Sequence, residues 1–255
     1  MAEGDITAGL RAALDRDDAS LRLRAAMDAG TRPNDAFIAV LVDRCAVEPD
    51  FFVRDMLTWA LTRHDASLVV DAILPELGSP FPQARSQGLH TLSKIGDPRT
   101  WNAITPALLD DEESSVARAA WRAAAGLVPD TERAALAAAL ARHLGRGDIE
   151  TRRSLSRAFV MIGEESGPAV DAATEADDEA VRVHALATRA LMDDPDAGFE
   201  GAVDHARRVN AQRHAPAGPD ADPVAEQQAP DAPEAGTPDA EQQAPDAPEA
   251  GTPDA

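Results

Sequence analysis

Aromatic residues are scarce in this 255-residue chain, which has no Tyr and only six Phe and three Trp. Cysteine occurs once, at Cys45, and lysine once, at Lys94. A single cysteine excludes an intramolecular disulfide framework and any Cys-rich zinc or iron–sulfur centre. No apolar run approaches the roughly 18 residues of a membrane span. The opening MAEGDITAGLRAALDRDD carries acids where a secretory signal carries bases and then an apolar stretch. The expectation is a soluble, cytoplasmic protein. Bases are in deficit, 24 Lys and Arg against 45 Asp and Glu, for a formal charge of −21. That balance opposes attachment of the whole surface to nucleic acid or to an anionic membrane, because phosphate binding needs neutralising Lys and Arg.

The deficit is unevenly spread. Residues 215–255 hold ten acids and no Lys, Arg, aromatic, Leu or Ile, leaving 35 acids against 24 bases on residues 1–214. Within this tail EQQAPDAPEAGTPDA at 226–240 recurs unchanged at 241–255. A proline-spaced acidic segment without large apolar side chains cannot bury enough surface to offset its chain entropy. The expected organisation is therefore a folded part, 1–214, and a disordered, solvating tail, 215–255.

The folded part repeats. Arg22, Arg54, Arg85, Arg118, Arg152 and Arg182 recur at spacings of 30 to 34 residues. Three residues beyond each marker stand Ala25, Leu57, Gly88, Trp121, Leu155 and Ala185. With the apolar positions one before, seven after and ten after, these trace one stripe at helical spacing. Acids precede five of the six markers, as Asp17–Asp18, Asp50, Asp111–Glu113, Asp148 with Glu150, and Asp177–Glu179, where they cap and complement a helix N-terminus. Gly30, Gly96-Asp97-Pro98, Pro129-Asp130, Gly163 and Asp194-Pro195 read as stops. Second helical segments fall at 37–45, 67–77, 100–109, 132–144 and 167–176, and no stretch alternates with period two. The pattern predicts an all-α solenoid of about six stacked helix pairs.

The phrases EPDFFVRDMLTWAL (48–61), QARSQGLHTLSKIGDPRTW (83–101) and DDEAVRVHALATRAL (177–191) resemble bacterial HEAT repeats, and more closely the short HEAT-like repeats of phycobilin lyases. The resemblance spans about 17–194. It implies a ladder of Arg and acid between neighbouring repeats, with Asp50–Arg54 and Asp178–Arg182 as the best matches and Arg85, Arg118 and Arg152 in the same column. Val53-Arg54 and Val181-Arg182 keep the family's dipeptide, whereas Ala84, Ala117 and Thr151 replace Val elsewhere. It also implies that the marked helices line the concave side. The architecture hosts scaffolds, lyases, hydroxylases and DNA glycosylases alike, so it implies no single activity.

Motifs for chemistry are sparse. The six histidines form no His-x-x-x-His pair, no His-Glu dipeptide occurs, and there is no GxSxG elbow, phosphate loop or Cys-x-x-Cys. Cys45 ends an apolar run and reads as a small core residue. The acids at 110–113 and 177–179 lack the glycine and spacing of a calcium loop and read as helix caps. The expectation is a protein that is not an enzyme and needs no metal or cofactor.

At about 100° per residue, the fifth position after a marker lies nearly opposite the apolar stripe. Trp59 and His90 stand there with Arg157, and Arg63, Lys94 and Arg153 share the outward side. Trp121 falls on the stripe and reads as core, and Trp101 as a staple of its turn. An exposed Trp among arginines is the composition of a binding hot spot. The expected function is a scaffold binding a protein of unknown identity through the concave face. The alternative is a HEAT-like DNA-binding protein or DNA glycosylase relative using the same groove, which one Lys and the acidic charge disfavour. The acidic tail, held at high local concentration by its tether, is a further expected occupant of that face.

Overall fold

The computed structural model describes residues 3–213. The expectation of a disordered segment at 215–255, and of its contact with the groove, lies outside the described residues. Thirteen α-helices follow one another, joined by short turns and 3-10 segments, with no strand among the described residues. They are α1 (Glu3–Leu14), α2 (Ala19–Thr31), α3 (Ile38–Val47), α4 (Phe51–Leu61), α5 (Ala66–Ile73), α6 (Pro82–Ile95), α7 (Pro106–Leu109), α8 (Ser114–Leu127), α9 (Arg133–Ala141), α10 (Ile149–Ile162), α11 (Gly167–Ala173), α12 (Glu179–Asp193) and α13 (Phe199–Arg213). No helix among the described residues is long and apolar enough to cross a membrane.

The helices stack in two rows. The marked helices α2, α4, α6, α8, α10 and α12 each pack on the next, and α13 closes the row against α12. The intervening helices form the second row: α1 contacts α3, α3 contacts α5, and α9 contacts α11. The apolar stripe of the marked helices faces this second row: Leu57, Gly88, Trp121, Leu155 and Ala185 are all buried, and Ala25 is half-buried. Burying a leucine side chain contributes about 1.5–3 kcal/mol, so the recurrence of the stripe sets the pairing. One core runs from Leu10 to Ala185, and a smaller one, built around Ala187, Leu191, Phe199 and Ala206, holds α13 in place.

The acids placed before four of the markers do cap, whereas before α8 Glu113 makes no side-chain cap bond and Asp111 is taken by Arg85. Asp18, Asp50, Asp148 and Asp178 each accept a backbone N–H of the first helical turn, an arrangement contributing about 1 kcal/mol per helix. The α6 helix instead starts on Pro82, whose missing N–H costs nothing at a helix start. Gly96 ends α6 in the left-handed region at φ +72°.

Three local expectations need correction. Gly30 is not a stop: α2 continues through it to Thr31, and Gly30 is buried against α4. The segment 100–109 is not one helix but a 3-10 stretch at Pro98–Ala103 followed by the short α7, because Pro106 cannot continue a helix from Ala103. The marker in α8 is also displaced. Arg22, Arg54, Arg85, Arg152 and Arg182 each stand four residues after their N-cap, but the N-cap of α8 is Glu113, so Ala117 occupies that position and Arg118 the next.

Candidate functional site

Three arginines of the column, Arg22, Arg85 and Arg182, reach into the following repeat, with partners other than those the resemblance implied. Arg22 forks onto Glu48 with Nε at 2.9 Å and Nη2 at 2.7 Å, while its Nη1 donates to the Arg16 and Asp17 carbonyls. Glu48 is fully buried and also accepts from Arg44 Nε and the Asp50 N–H. Burial pushes the Glu48 carboxyl up, but the bonds from Arg22, the Asp50 amide and Arg44 outweigh it and hold the pKa at about 2. Arg85 repeats the fork on Asp111, at 2.9 and 3.0 Å. Arg54 donates to the Glu48 and Pro49 carbonyls, and Arg182 to the Ala176 and Asp177 carbonyls and to Asn210 Oδ1. Asp50 and Asp178, expected as the rungs, are instead N-caps, because a carboxylate at that position lies nearest the free amides of its own helix. Arg118 makes no rung either; its Nε reaches the Ser114 carbonyl of its own helix at 3.3 Å.

Corrected for the shift in α8, the fifth position after the column residue reads Trp59, His90, Arg122 and Arg157 on four consecutive stacked helices. Trp59 is 40% exposed, and one face of its indole lies on Gly30 of α2. His90 Nδ1 accepts from Arg122 Nη2 at 2.9 Å, which bridges α6 and α8. Burial lowers the His90 pKa to about 4, with Arg122 and Lys94 acting in the same direction and Asp55 opposing them. His90 is therefore a neutral acceptor at physiological pH rather than one of the face's cations. Arg157 is exposed and has no ion pair within 4 Å among the described residues.

Beside this row lies a depression of about 330 Å³ crossing α4, α6 and α8, whose walls include Phe51, Arg54, Asp55, His90, Arg118 and Arg122. Phe51 is 65% exposed and meets Phe52 edge to face, with centroids 5.6 Å apart. Arg63 and Lys94 are both exposed, Arg63 in the turn after α4 and Lys94 in the last turn of α6. Arg153 is less available than the others, because it is paired with Glu150 and with Glu200 of α13. Sequence reasoning missed Arg122 and Phe51. Arg122 was legible once Ala117, not Arg118, was taken as the column residue of α8. Phe51 follows an N-cap, where local pattern does not separate an exposed from a buried side chain.

The reactive groups sit elsewhere. Cys45 is buried, and desolvation pushes its thiol up to about 12, so it is not a thiolate nucleophile. Trp121 is core as expected, its Nε1 donating to the Leu109 carbonyl. His184 is also buried and neutral, with its Nδ1 accepting from the Gly145 N–H and its Nε2 facing the Arg152 carbonyl and Ser156 Oγ. Among the described residues no group of three or more His, Cys, Asp or Glu is arranged to hold a metal ion.

No protein-family model and no curated protein matches the chain. Solved structures similar to it include an engineered protein (20% identity, TM-score 0.43, covering 81% of this chain and 97% of that one). Human deoxyhypusine hydroxylase in complex with glycerol is similar at 16% identity and TM-score 0.41, covering 82% and 97%. The complex of CpcE and CpcF of phycocyanin lyase from Nostoc sp. is similar at 17% identity and TM-score 0.36, covering 80% and 94%. These are likenesses of helical-repeat architecture, too distant to carry a functional argument. They do correct the expectation that the chain is not an enzyme. The hydroxylase and the lyase are enzymes by name, and that expectation is withdrawn.

Proposed function

We propose that the chain binds a protein through the exposed face of α4, α6, α8 and α10, and that its repeats are of the short HEAT type. The observation that carries this reading is the row Trp59, His90, Arg122 and Arg157, at one register on four stacked helices, beside the depression that holds Phe51 and Arg118. Trp and Arg supply most of the energy in interfaces, and stacked repeats present an extended surface along which a segment can lie. In the depression Arg54, Arg118 and Arg122 outnumber the single carboxylate of Asp55, so an acidic segment bearing an apolar side chain suits it.

A photo-crosslinking residue at Arg122 or Trp59 tests the reading against one at Ala138, which is exposed on α9 in the other row. Crosslinks from the first two positions to one protein, absent from position 138 and weakened by Arg157→Glu, are expected. Equal crosslinking from all three positions, or displacement by duplex DNA at physiological salt, would sink it.

A further inference from the structure

Five arginines stand at the fourth position of a marked helix, and one of them is unsatisfied. Arg22, Arg54, Arg85 and Arg182 each donate Nη1 to carbonyls of the loop before their own helix. Arg22 and Arg85 also fork Nε and Nη2 onto a carboxylate 26 residues ahead. Arg152 does neither. Its guanidinium makes no hydrogen bond or ion pair with any described residue, and its Nε is buried without a partner.

The register explains the difference. The rung carboxylates Glu48 and Asp111 lie two residues before the next N-caps, Asp50 and Glu113. Before α12, whose N-cap is Asp178, that seat is Ala176, which has no carboxylate to offer. The loop ahead of α10 turns through Gly145 and Gly147, both at positive φ, and none of its carbonyls meets the guanidinium.

Arg152 lines a cleft of about 570 Å³ between α10, α12 and α13. Ile149, Val183, Phe199 and Val203 supply apolar walls, and the exposed Arg207 stands at the rim beside Asp204. Glu179 lies on the wall too, with its carboxylate accepting from Asn210 Nδ2 at 3.4 Å. The volume is that of a small-molecule site.

The geometry points to this cleft as a binding site for a small monocarboxylate with an apolar body, whose carboxylate pairs with Arg152, the arginine that Ala176 leaves without a rung. The precedent is internal, since the same position of the column holds a planar carboxylate on the Nε–Nη2 fork of Arg22 and of Arg85. Turning the Arg152 fork into the cleft breaks no hydrogen bond, and it exchanges an unsatisfied buried donor for a charge-assisted bidentate pair. The apolar body replaces water along Val183, Phe199 and Val203. The cleft shares α10 with the face proposed above but none of the residues in its row, and the inference does not rest on the function proposed for that face.

Titration of the full-length, isotopically labelled protein with 4-phenylbutyrate, followed on the Arg152 Nε–Hε signal and the methyl signals of Val183 and Val203, tests the assignment. Saturable shifts at all three are expected, with binding about tenfold weaker for the uncharged 4-phenylbutanamide. Arg152→Gln should abolish the preference for acid over amide. Arg207→Glu, at an exposed position that leaves the core untouched, should weaken the acid but not the amide. Equal binding of acid and amide to the unaltered protein, or no shift at Arg152 up to the solubility limit, would overturn the assignment without reference to any variant's folding.

Discussion

The indole of Trp59 lies on Gly30 of the preceding repeat so closely that a Cβ on Gly30 would stand 2.9 Å from Trp59 Cε3 and 2.8 Å from the Ala60 Cα. Because one of these neighbours is backbone, side-chain adjustment alone cannot relieve the clash. Gly30→Ala should therefore destabilise by about 1–3 kcal/mol, the cost of overpacking, and should shift the Trp59 fluorescence. Urea unfolding with emission spectra checks both. A variant as stable as the parent would mean that α2 and α4 are not packed this closely.

Removing Glu48 leaves Arg22 and Arg44 without their shared carboxylate, and Arg22 is itself only 5% exposed. Glu48→Ala should cost about 3–5 kcal/mol, as for breaking a buried pair from one side. Adding Arg22→Met should restore part of the loss, because the uncompensated charge goes with it. A double-mutant cycle in urea measures the coupling.

Arg54 and Arg118 belong to one sequence column but differ in their bonds. Arg54 holds two loop carbonyls at 2.8 Å each, whereas Arg118 has one contact within its own helix at 3.3 Å. Arg54→Ala should cost about 1–3 kcal/mol, the range for hydrogen bonds to a charged group. Arg118→Ala should cost well under about 1 kcal/mol, like an exposed substitution. Paired unfolding curves decide between the two readings of the column.

Burial holds both His90 and His184 at a pKa of about 4, against 6.5 for a free imidazole. For a depressed histidine the unfolded chain takes up the proton first. The stability is thus complete above about pH 6.5 and is lost as the pH falls toward 4. Glu48, held at about 2, stays charged through most of that window and gives up its share only between 4.5 and 2. Thermal unfolding at successive pH values should show a fall in midpoint from pH 6.5 to 4, flattened by His184→Gln and by His90→Gln.

The sequence by itself determined what depends on neighbours along one helix. The recurrence of arginine, the apolar stripe through Leu57, Trp121 and Leu155, and the caps at Asp18, Asp50, Asp148 and Asp178 are all local, since helical periodicity and the free amides of a first turn act over a few residues. Trp59 on the outward face followed from the same periodicity. The tertiary structure decided everything that joins residues a repeat apart. A guanidinium reaches whichever carboxylate the next turn brings to it, so Arg22 pairs with Glu48 while Asp50, expected on Arg54, serves its own helix. It also decided that Arg153 is neutralised by Glu200, because only the return of α13 onto α12 brings that acid near. Arg152 was left without a rung for the same reason, since the seat that would complete it lies in the following repeat and is filled by Ala176.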